Sequence, residues 1–287
     1  MKKSNLTAPQ IKFFTFIFAA QNHSGAKKPV SLETALDMIE EAGFSAVGVW
    51  PDPAVLAATE KRGIHRVSYI DANDKTWRES LEKAASMKAH RVNVQLWDHD
   101  TPPAVAVKTW IKLEKLAGQM GLNVDLETHR DTCTETPEKT YEIQGLYRKA
   151  TGRDIRFCWD FSHFGVVKHL AAPFAPRLLT HPRLVQQARQ IHCRSFNGHH
   201  CQVPILDAKG RLAPDCRDFL EFVDALLACW FEGAKGGEVL YLNPEQLPGP
   251  GYGLSNFQNL WKEIVVLRRE IQVLWDKNQK IWQKKHR

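Results

Sequence analysis

The sequence alternates eight times between a short apolar run and a longer amphipathic segment. The runs are rich in Val, Ile, Phe and Tyr and most are almost continuously apolar, which is typical of strands covered on both faces. They span residues 12–19, 46–50, 66–70, 91–97, 123–128, 155–160, 190–196 and 238–243. Strands that alternate with helical segments predict a parallel sheet with helical crossovers.

The segments between the runs have helical periodicity and helical end signals. Ser31 caps a predicted helix that continues through Ala42, where Gly43 stops it. Further helices are predicted at 76–87, 103–120, 137–150, 182–189 and 216–231, and a single short one within 45–66. Pro137 and Pro182 each suit a first helical turn.

The last predicted helix, 256–283, is long and has apolar residues at three- and four-residue steps. Its first half would cover the sheet. Its second half carries Trp275 and Trp282, and two interpretations stay open. It either meets another subunit of a homodimer or higher homo-oligomer, or packs on the core of its own chain.

Eight strand–helix units close naturally into a (β/α)₈ TIM barrel. We therefore expect one α/β domain over residues 1–287, with a long C-terminal helix. A Gly-x-Gly-x-x-Gly motif after a strand and a Gly-x-x-x-x-Gly-Lys-Ser/Thr motif are both absent from the sequence. The motifs of dinucleotide-binding and P-loop folds are thus missing.

Composition narrows the class of protein further. The formal charge of +7 is mild and does not indicate nucleic-acid binding by itself. No window has the roughly 18 uninterrupted apolar residues of a membrane span. The six cysteines form no Cys-x-x-Cys pair and are expected to be buried free thiols in a reducing compartment. The apolar run at 13–20 is interpreted as a first strand, and the protein as cytoplasmic.

In a TIM barrel the active site lies at the carboxyl ends of the strands. Carboxylates, imidazoles and indoles are dense at these positions. The candidates are Trp50, Trp97, Glu127, His129, Asp160, His163, His192, Arg194 and Glu245. Four of them, Glu127, Asp160, His192 and Glu245, come from strands 5 to 8. If they converge, they suit a divalent cation such as Mn²⁺, Mg²⁺, Co²⁺ or Zn²⁺. Asp160 has a rival interpretation as a helix N-cap.

Three short motifs resemble the xylose isomerase-like TIM-barrel superfamily of sugar isomerases, epimerases and inosose dehydratase. They are Leu126-Glu127-Thr128-His129, Trp159-Asp160-Phe161-Ser162-His163 and Gln190-Ile191-His192-Cys193. The resemblance extends in order over nearly the whole chain. The 33-position step from Glu127 to Asp160, followed by Asp-x-x-His, is its most specific part.

The resemblance implies that Glu127, Asp160, His192 and a glutamate of strand 8 hold the metal ion, and that His163 binds substrate. It also implies that two glutamates flank the substrate, one removing a proton beside a carbonyl and the other returning it. The metal ion would stabilise the enediolate. Arg194 is expected to grip a carboxylate or phosphate, Trp50 and Trp97 to face a sugar, and His129 to orient a neighbour.

Strand 8 departs from the family pattern. Asn243-Pro244 stands where the family has glutamate, and Glu245 comes two residues late. Asn243 and Glu245 share a face if the strand continues through Pro244, and Glu245 is the predicted ligand. Whether Asn243 or Glu245 fills the ligand position stays open. The acidic residue that many members have after His192 is replaced by Arg194-Ser195.

The leading prediction is a metal-dependent isomerase or epimerase of a small sugar, sugar acid or sugar phosphate. An inosose-type dehydratase is an alternative at the same site, because both reactions begin with the same enolate. Asn243 keeps a non-catalytic sugar-binding barrel open. An endonuclease IV-like enzyme is least favoured, since the ends of strands 2 to 4 lack its extra histidines.

Overall fold

Eight parallel strands form a closed barrel in which each strand pairs with the next and β8 returns to β1. The computed structural model describes residues 7–23, 28–247 and 259–286. The strands are β1 (Gln10–Phe16), β2 (Ala46–Val49), β3 (His65–Ala72), β4 (Arg91–Leu96), β5 (Val124–Glu127), β6 (Phe157–Asp160), β7 (Gln190–His192) and β8 (Val239–Asn243). The predicted (β/α)₈ TIM barrel is confirmed.

Helices lie between the strands and after the last one. Those in the described part of the chain are α1 (Ile17–Gln21), α2 (Leu32–Glu41), α3 (Pro53–Arg62), α4 (Trp77–Ser86), α5 (Pro103–Gln119), α6 (Pro137–Thr151), α7 (Phe161–Val167), α8 (Ala175–Leu178), α9 (Pro182–Gln186), α10 (Pro214–Gly233) and α11 (Leu260–His286). The Ser31 side chain accepts from the Thr34 amide, so the predicted N-cap of α2 is confirmed. Pro137 and Pro182 begin α6 and α9, also as predicted.

The main apolar core contains side chains from the strands and from the helices around them. A second, smaller apolar cluster of Phe14, Ala46, Val67 and Tyr241 comes from β1, β2, β3 and β8. The ring of Phe14 meets His192 edge-on at 5.8 Å between centroids. This smaller cluster therefore lies next to the residues that end β7.

Two strand predictions were too long. Residues 17–19 belong to α1 and not to β1, because an apolar run alone does not distinguish a strand from a buried helical turn. The seventh strand ends at His192 and not at residue 196, because β6 ends at Asp160 and α7 follows at once, so pairing on that side stops. The sequence also missed the short helices α7 and α8. Residues 256–258 of the predicted last helix lie outside the described residues.

The six cysteines are free, and five of them are buried. This agrees with the expectation of buried thiols. None of the described helices has both the length and the apolar character needed to cross a lipid bilayer.

Candidate active site

The carboxyl edge of the barrel brings together the last residues of three successive strands. Glu127 ends β5, Asp160 ends β6 and His192 ends β7. Asp160 is in register with His192, and Glu127 with Cys158. All of these side chains are at most 3% exposed. The structure therefore places three of the four predicted ligands side by side in a buried setting.

Glu245 reaches the same place because the backbone pairing continues past β8. The Cys193 amide donates to the Asn243 carbonyl at 2.7 Å, and the Glu245 amide donates to the Cys193 carbonyl at 3.0 Å. Asn243 and Glu245 are thus held on one face, through Pro244, as the sequence argument required. Both side chains are buried.

His192 lies between two glutamates. Its Nδ1 is 2.7 Å from Glu127 Oε1 and 3.2 Å from Glu245 Oε2. Its Nε2 is 3.2 Å from the Tyr69 hydroxyl. Burial acts against a charged ring, but the acidic groups around it raise the pKa of His192 well above its ordinary value. His192 therefore acts together with Arg194, which pairs with Glu245, to offset the negative charge of these carboxylates.

The Glu127 carboxylate is fixed by two amides from β4. Asn93 Nδ2 donates to Oε2 at 2.7 Å and Gln95 Nε2 donates to the same oxygen at 2.9 Å. Burial alone would raise the pKa of Glu127, but His192 outweighs it and the pKa falls to about 2. The group is therefore ionised at neutral pH, with Oε1 directed at His192.

Asp160 caps the helix that follows it, so its predicted N-cap interpretation is confirmed, and its role as a metal ligand stays a prediction. Its Oδ1 accepts from the Ser162 amide at 2.9 Å and from the Ser162 hydroxyl at 2.6 Å, which caps α7. Its Oδ2 lies 3.4 Å from His163 Nε2 and 3.5 Å from Arg194 Nη2. Burial opposes ionisation, but His163 and Arg194 hold the pKa of Asp160 well below its usual range.

Arg194 makes its shortest ion pair with Glu245, with Nη2 donating to Oε1 at 2.6 Å. Its side chain is 2% exposed. Burial opposes ionisation of Glu245, but Arg194 and His192 lower the pKa of that carboxyl. Arg194 therefore contacts two of the predicted ligands, and its expected grip on a substrate anion stays a prediction.

His129 and His163 form a pair beside Asp160, with ring centroids 4.1 Å apart. His163 is buried, and among the described residues its ring nitrogens make no hydrogen bond of good geometry, although Nε2 lies 3.4 Å from Asp160 Oδ2. His129 Nδ1 is 2.6 Å from the Arg130 carbonyl. Burial and the nearby His163 lower the pKa of His129 to about 4, so this ring is neutral at neutral pH.

Trp50 and Trp97 lie in different settings. Trp50 is 50% exposed and stacks on Phe16 and Tyr69 at 5.6 and 5.8 Å between centroids. Through Tyr69 it connects the barrel mouth to His192. The Trp97 indole donates to Thr109 and lines an open cavity of about 470 Å³ together with Gln95 and His129. Neither indole is buried in the barrel centre.

The donor set fits a divalent ion. Two groups of buried side chains, Asp160–His192–Glu245 and Glu127–Cys158–His192, each bring their ligand atoms within 4.8 Å of one another. Among the described residues, Asp160 Oδ2, His192 Nδ1 and Glu245 Oε2 are buried next to charged groups but make no hydrogen bond of good geometry. The two groups share His192, and buried oxygen and nitrogen atoms of this kind are ligands that a divalent cation would satisfy.

Sequence reasoning missed several residues of this site. They are Tyr69, Asn93 and Gln95, which contact His192 or Glu127, and Cys158, which lies beside both. Strand alternation could have found Cys158, since it lies two positions before Asp160. The amides and the tyrosine carry no comparable signal, because their role depends on which strand lies next to which.

Comparisons with known proteins support the fold. No family model matches the chain, and no curated protein does. Among solved structures, a D-allulose 3-epimerase from Methylomonas sp. in complex with D-allulose has a TM-score of 0.56 at 14% identity, over 95% of this chain and 99% of that one. A xylose isomerase-like TIM barrel protein from Mycobacterium smegmatis in complex with magnesium has a TM-score of 0.55 at 13% identity, over 96% and 99%.

A third solved structure is a probable 3-DHS dehydratase from Bacillus anthracis. Its TM-score is 0.53 at 15% identity, and the match covers 92% of this chain and 98% of that one. At such low identity the likeness concerns the fold, and it extends over nearly the full length of both chains. The chain thus has the fold of the xylose isomerase-like TIM barrels, as its motifs predicted.

Proposed function

We propose that the protein is a metal-dependent isomerase or epimerase of a small sugar, sugar acid or sugar phosphate. One observation carries this proposal. Glu127, at the end of β5, and Glu245, just after β8, approach the same ring nitrogen of His192 at 2.7 and 3.2 Å. Two ionised carboxylates that flank one point can remove a proton from one side of a carbon and return it on another.

Asp160, His192 and Glu245 would hold the ion together with Glu127. A bound divalent ion would act as a Lewis acid on the carbonyl oxygen next to the carbon that loses its proton. Glu127 is suited to be the base by its geometry, because two amides fix one of its oxygens and the other faces His192, and its low pKa keeps the carboxylate ionised. Glu245 is positioned by Arg194. His163, whose ring nitrogens make no hydrogen bond of good geometry among the described residues, would donate to or accept from a substrate oxygen.

The neighbouring aromatic groups would complete the substrate site. Trp50 offers a half-exposed indole at the mouth, suited to the C–H face of a sugar. Trp97 and His129 line the adjoining cavity. Arg194 would contact a carboxylate or phosphate of the substrate only by sharing its guanidinium with Glu245.

A dehydratase at the same site is the second candidate. The fold likeness to a 3-DHS dehydratase favours it, as does the pair of histidines beside Asp160. Loss of a β-hydroxyl needs a proton donor near the leaving oxygen, and His163 is placed for that. Both candidates share the first step, removal of a proton beside a carbonyl.

Glu127→Gln tests the proposal. The protein is incubated with Mn²⁺ and a panel of ketoses, ketose phosphates and keto-inositols in D₂O, and products are followed by proton NMR. We expect the unaltered protein to exchange a carbon-bound proton for deuterium and to form an isomer or epimer. We expect E127Q to lose at least about 10²-fold in rate, the usual effect of a lost acid–base group.

Glu138→Gln is the matched control, because Glu138 lies on α6, paired with Lys168 at the surface. It should retain full activity. A keto-deoxy product would favour the dehydratase. Full turnover by E127Q, or no exchange on any member of the panel, would refute the proposed chemistry.

A further inference from the structure

Cys158 faces the interior of the barrel next to the candidate metal ligands. It lies two positions before Asp160 on β6, so both side chains point to the same face. Its register partner on β5 is Glu127. The side chain is fully buried.

The surroundings of Cys158 differ from those of the other core cysteines. Cys133, Cys193 and Cys216 belong to the main apolar core, whereas Cys158 and Cys201 belong to neither apolar cluster, and Cys201 contacts Arg130. Its neighbours are the ionised Glu127 and the imidazole of His192. A thiol placed among charged ligands, away from the apolar clusters, is not explained by packing alone.

The distances suit coordination. The sulfur of Cys158, a carboxylate oxygen of Glu127 and a ring nitrogen of His192 all lie within 4.8 Å of one another. Ligands that are about 2.0–2.3 Å from a shared ion are separated by no more than about 4.6 Å. His192 Nδ1 and Glu127 Oε1 already approach each other to 2.7 Å, so two of these three side chains converge in the protein alone.

We propose that Cys158 is a ligand of the metal ion and that the site selects a thiophilic ion, Zn²⁺ or Co²⁺, over Mg²⁺ and Mn²⁺. This inference adds a ligand to the metal site of the proposed function and rests on that proposal. Thiolate is a soft ligand that suits zinc, whereas Mg²⁺ is bound through carboxylates and water. As the metal–sulfur bond forms, the thiol proton passes to the solvent.

Cobalt spectroscopy tests the proposal directly. Metal-free protein is titrated with Co²⁺ and its absorption is recorded. A thiolate ligand gives a sulfur-to-cobalt charge-transfer band in the near ultraviolet, which oxygen and nitrogen ligands do not give. We expect the band in the unaltered protein and in Cys193→Ser, whose side chain belongs to the main apolar core. We expect Cys158→Ser to bind Co²⁺ without the band.

Competition between ions gives a second measurement. We expect Cys158→Ser to lower the ratio of Zn²⁺ to Mg²⁺ affinity by at least about tenfold, since even contacts outside the ligand shell change metal affinity 10- to 100-fold. Circular dichroism and thermal unfolding of Cys158→Ser and Cys158→Ala establish that the variants are folded.

Co²⁺ binding to the unaltered protein without the charge-transfer band would overturn the role of Cys158 and leave the proposed isomerase intact. A band that persists in Cys158→Ser would do the same. No binding of Co²⁺ at any concentration would overturn both this inference and the metal dependence of the proposed function.

Discussion

Arg194 brings a permanent positive charge to a site that already gathers three carboxylates. Its Nη2 is 2.6 Å from Glu245 and 3.5 Å from Asp160, and the side chain is almost fully buried. A buried carboxylate that loses its cationic partner carries a large desolvation penalty. Arg194 therefore stabilises Asp160 and Glu245, two of the carboxylates that the proposed divalent ion would also contact.

Replacing Arg194 with glutamine should destabilise the metal-free protein by about 3–5 kcal/mol, the usual cost of breaking a buried ion pair. Added Zn²⁺ or Mn²⁺ should restore part of this loss, because an ion that binds only the native state stabilises it. Urea unfolding with a chelator and with excess metal ion measures both effects. Arg194→Lys, which keeps the charge, is the control, and equal stability of R194Q and the unaltered protein in chelator would contradict the argument.

For single residues, the sequence predicted the charged side chains of the candidate site better than the uncharged side chains that contact them. Glu127, Asp160, His192 and Glu245 were predicted because they stand at or just after the ends of four strands that meet at one barrel edge, and the structure brings their side chains together. The amides of Asn93 and Gln95 were not, because an uncharged side chain on β4 becomes a partner of Glu127 only once β4 lies against β5. The exposure of Trp50 was not foreseen either, since an aromatic residue at a strand end is equally compatible with the core.

Helix α7 shows how the element after a strand positions a side chain of the site. It begins directly after Asp160, carries His163 and packs closely on the segment that follows β7. A Cβ atom on Gly165 would lie 2.4 Å from the ring of Phe196. Only glycine leaves room for the Phe196 ring at this distance. The close contact between Gly165 and Phe196 therefore sets the position of α7.

Gly165→Ala should lower the free energy of unfolding by about 1–3 kcal/mol through overpacking. Gly145→Ala is a matched control on α6, because a Cβ atom there meets nothing within 4 Å. That change should stabilise the protein by about 0.5–1 kcal/mol through helix propensity. Urea unfolding of the unaltered protein and of the two variants measures both changes. A Gly165→Ala variant as stable as Gly145→Ala would refute the packing argument.

The amino-terminal end of β3 carries His65, whose titration predicts that the stability of the fold depends on pH. His65 stacks on His90 at 3.9 Å, and its Nδ1 lies 2.6 Å from the Tyr241 hydroxyl. Burial lowers the pKa of His65 to about 4, assisted by His90 and Lys12. The unfolded chain, with a pKa near its usual 6.5, therefore takes up the proton first as the pH falls, and this proton uptake destabilises the fold between about pH 6.5 and 4.

His65→Gln removes the group that takes up the proton but also disturbs the contact with Tyr241, so the variant should be less stable than the unaltered protein at pH 7. The difference in urea midpoint between the two proteins should shrink from pH 7 to pH 5. A difference that stays constant or grows would show that His65 does not contribute to acid unfolding.

Which segments form strands and which form helices was largely predictable, whereas the ends of elements without a capping signal were not. The helix ends with a capping signal, such as Ser31 and Pro137, were placed to within a residue. The far end of β7 was misplaced because it depends on its neighbour: once β6 turns into α7 at Asp160, residues 193–196 have no strand on that side.

For the whole molecule, the repeated strand–helix alternation was sufficient to predict the closed barrel. The position of the last helix was left open between two interpretations. In the structure Trp275 and Trp282 are only 2% and 3% exposed within a single chain. The Trp282 indole donates to the Ala234 carbonyl at 3.0 Å, which favours packing on the chain's own core at these two positions.

Trp282→Ala should therefore lower the free energy of unfolding by about 3–5 kcal/mol, the usual cost of removing a buried large aromatic side chain. Val273→Ala on the same helix is the control, because Val273 is 65% exposed and should change stability by less than about 0.5 kcal/mol. Chemical unfolding measures both, and sedimentation at matched concentrations follows assembly. A Trp282→Ala protein with unchanged stability but altered assembly would contradict the assignment to the core.

Because β8 pairs with both β1 and β7, one of the last segments that the ribosome synthesises completes the barrel. Glu245 follows β8, and its amide donates to the Cys193 carbonyl, so it is synthesised after the other three proposed ligands and joins them beside β7. We therefore expect a nascent chain released before residue 245 to lack one ligand of the proposed metal site.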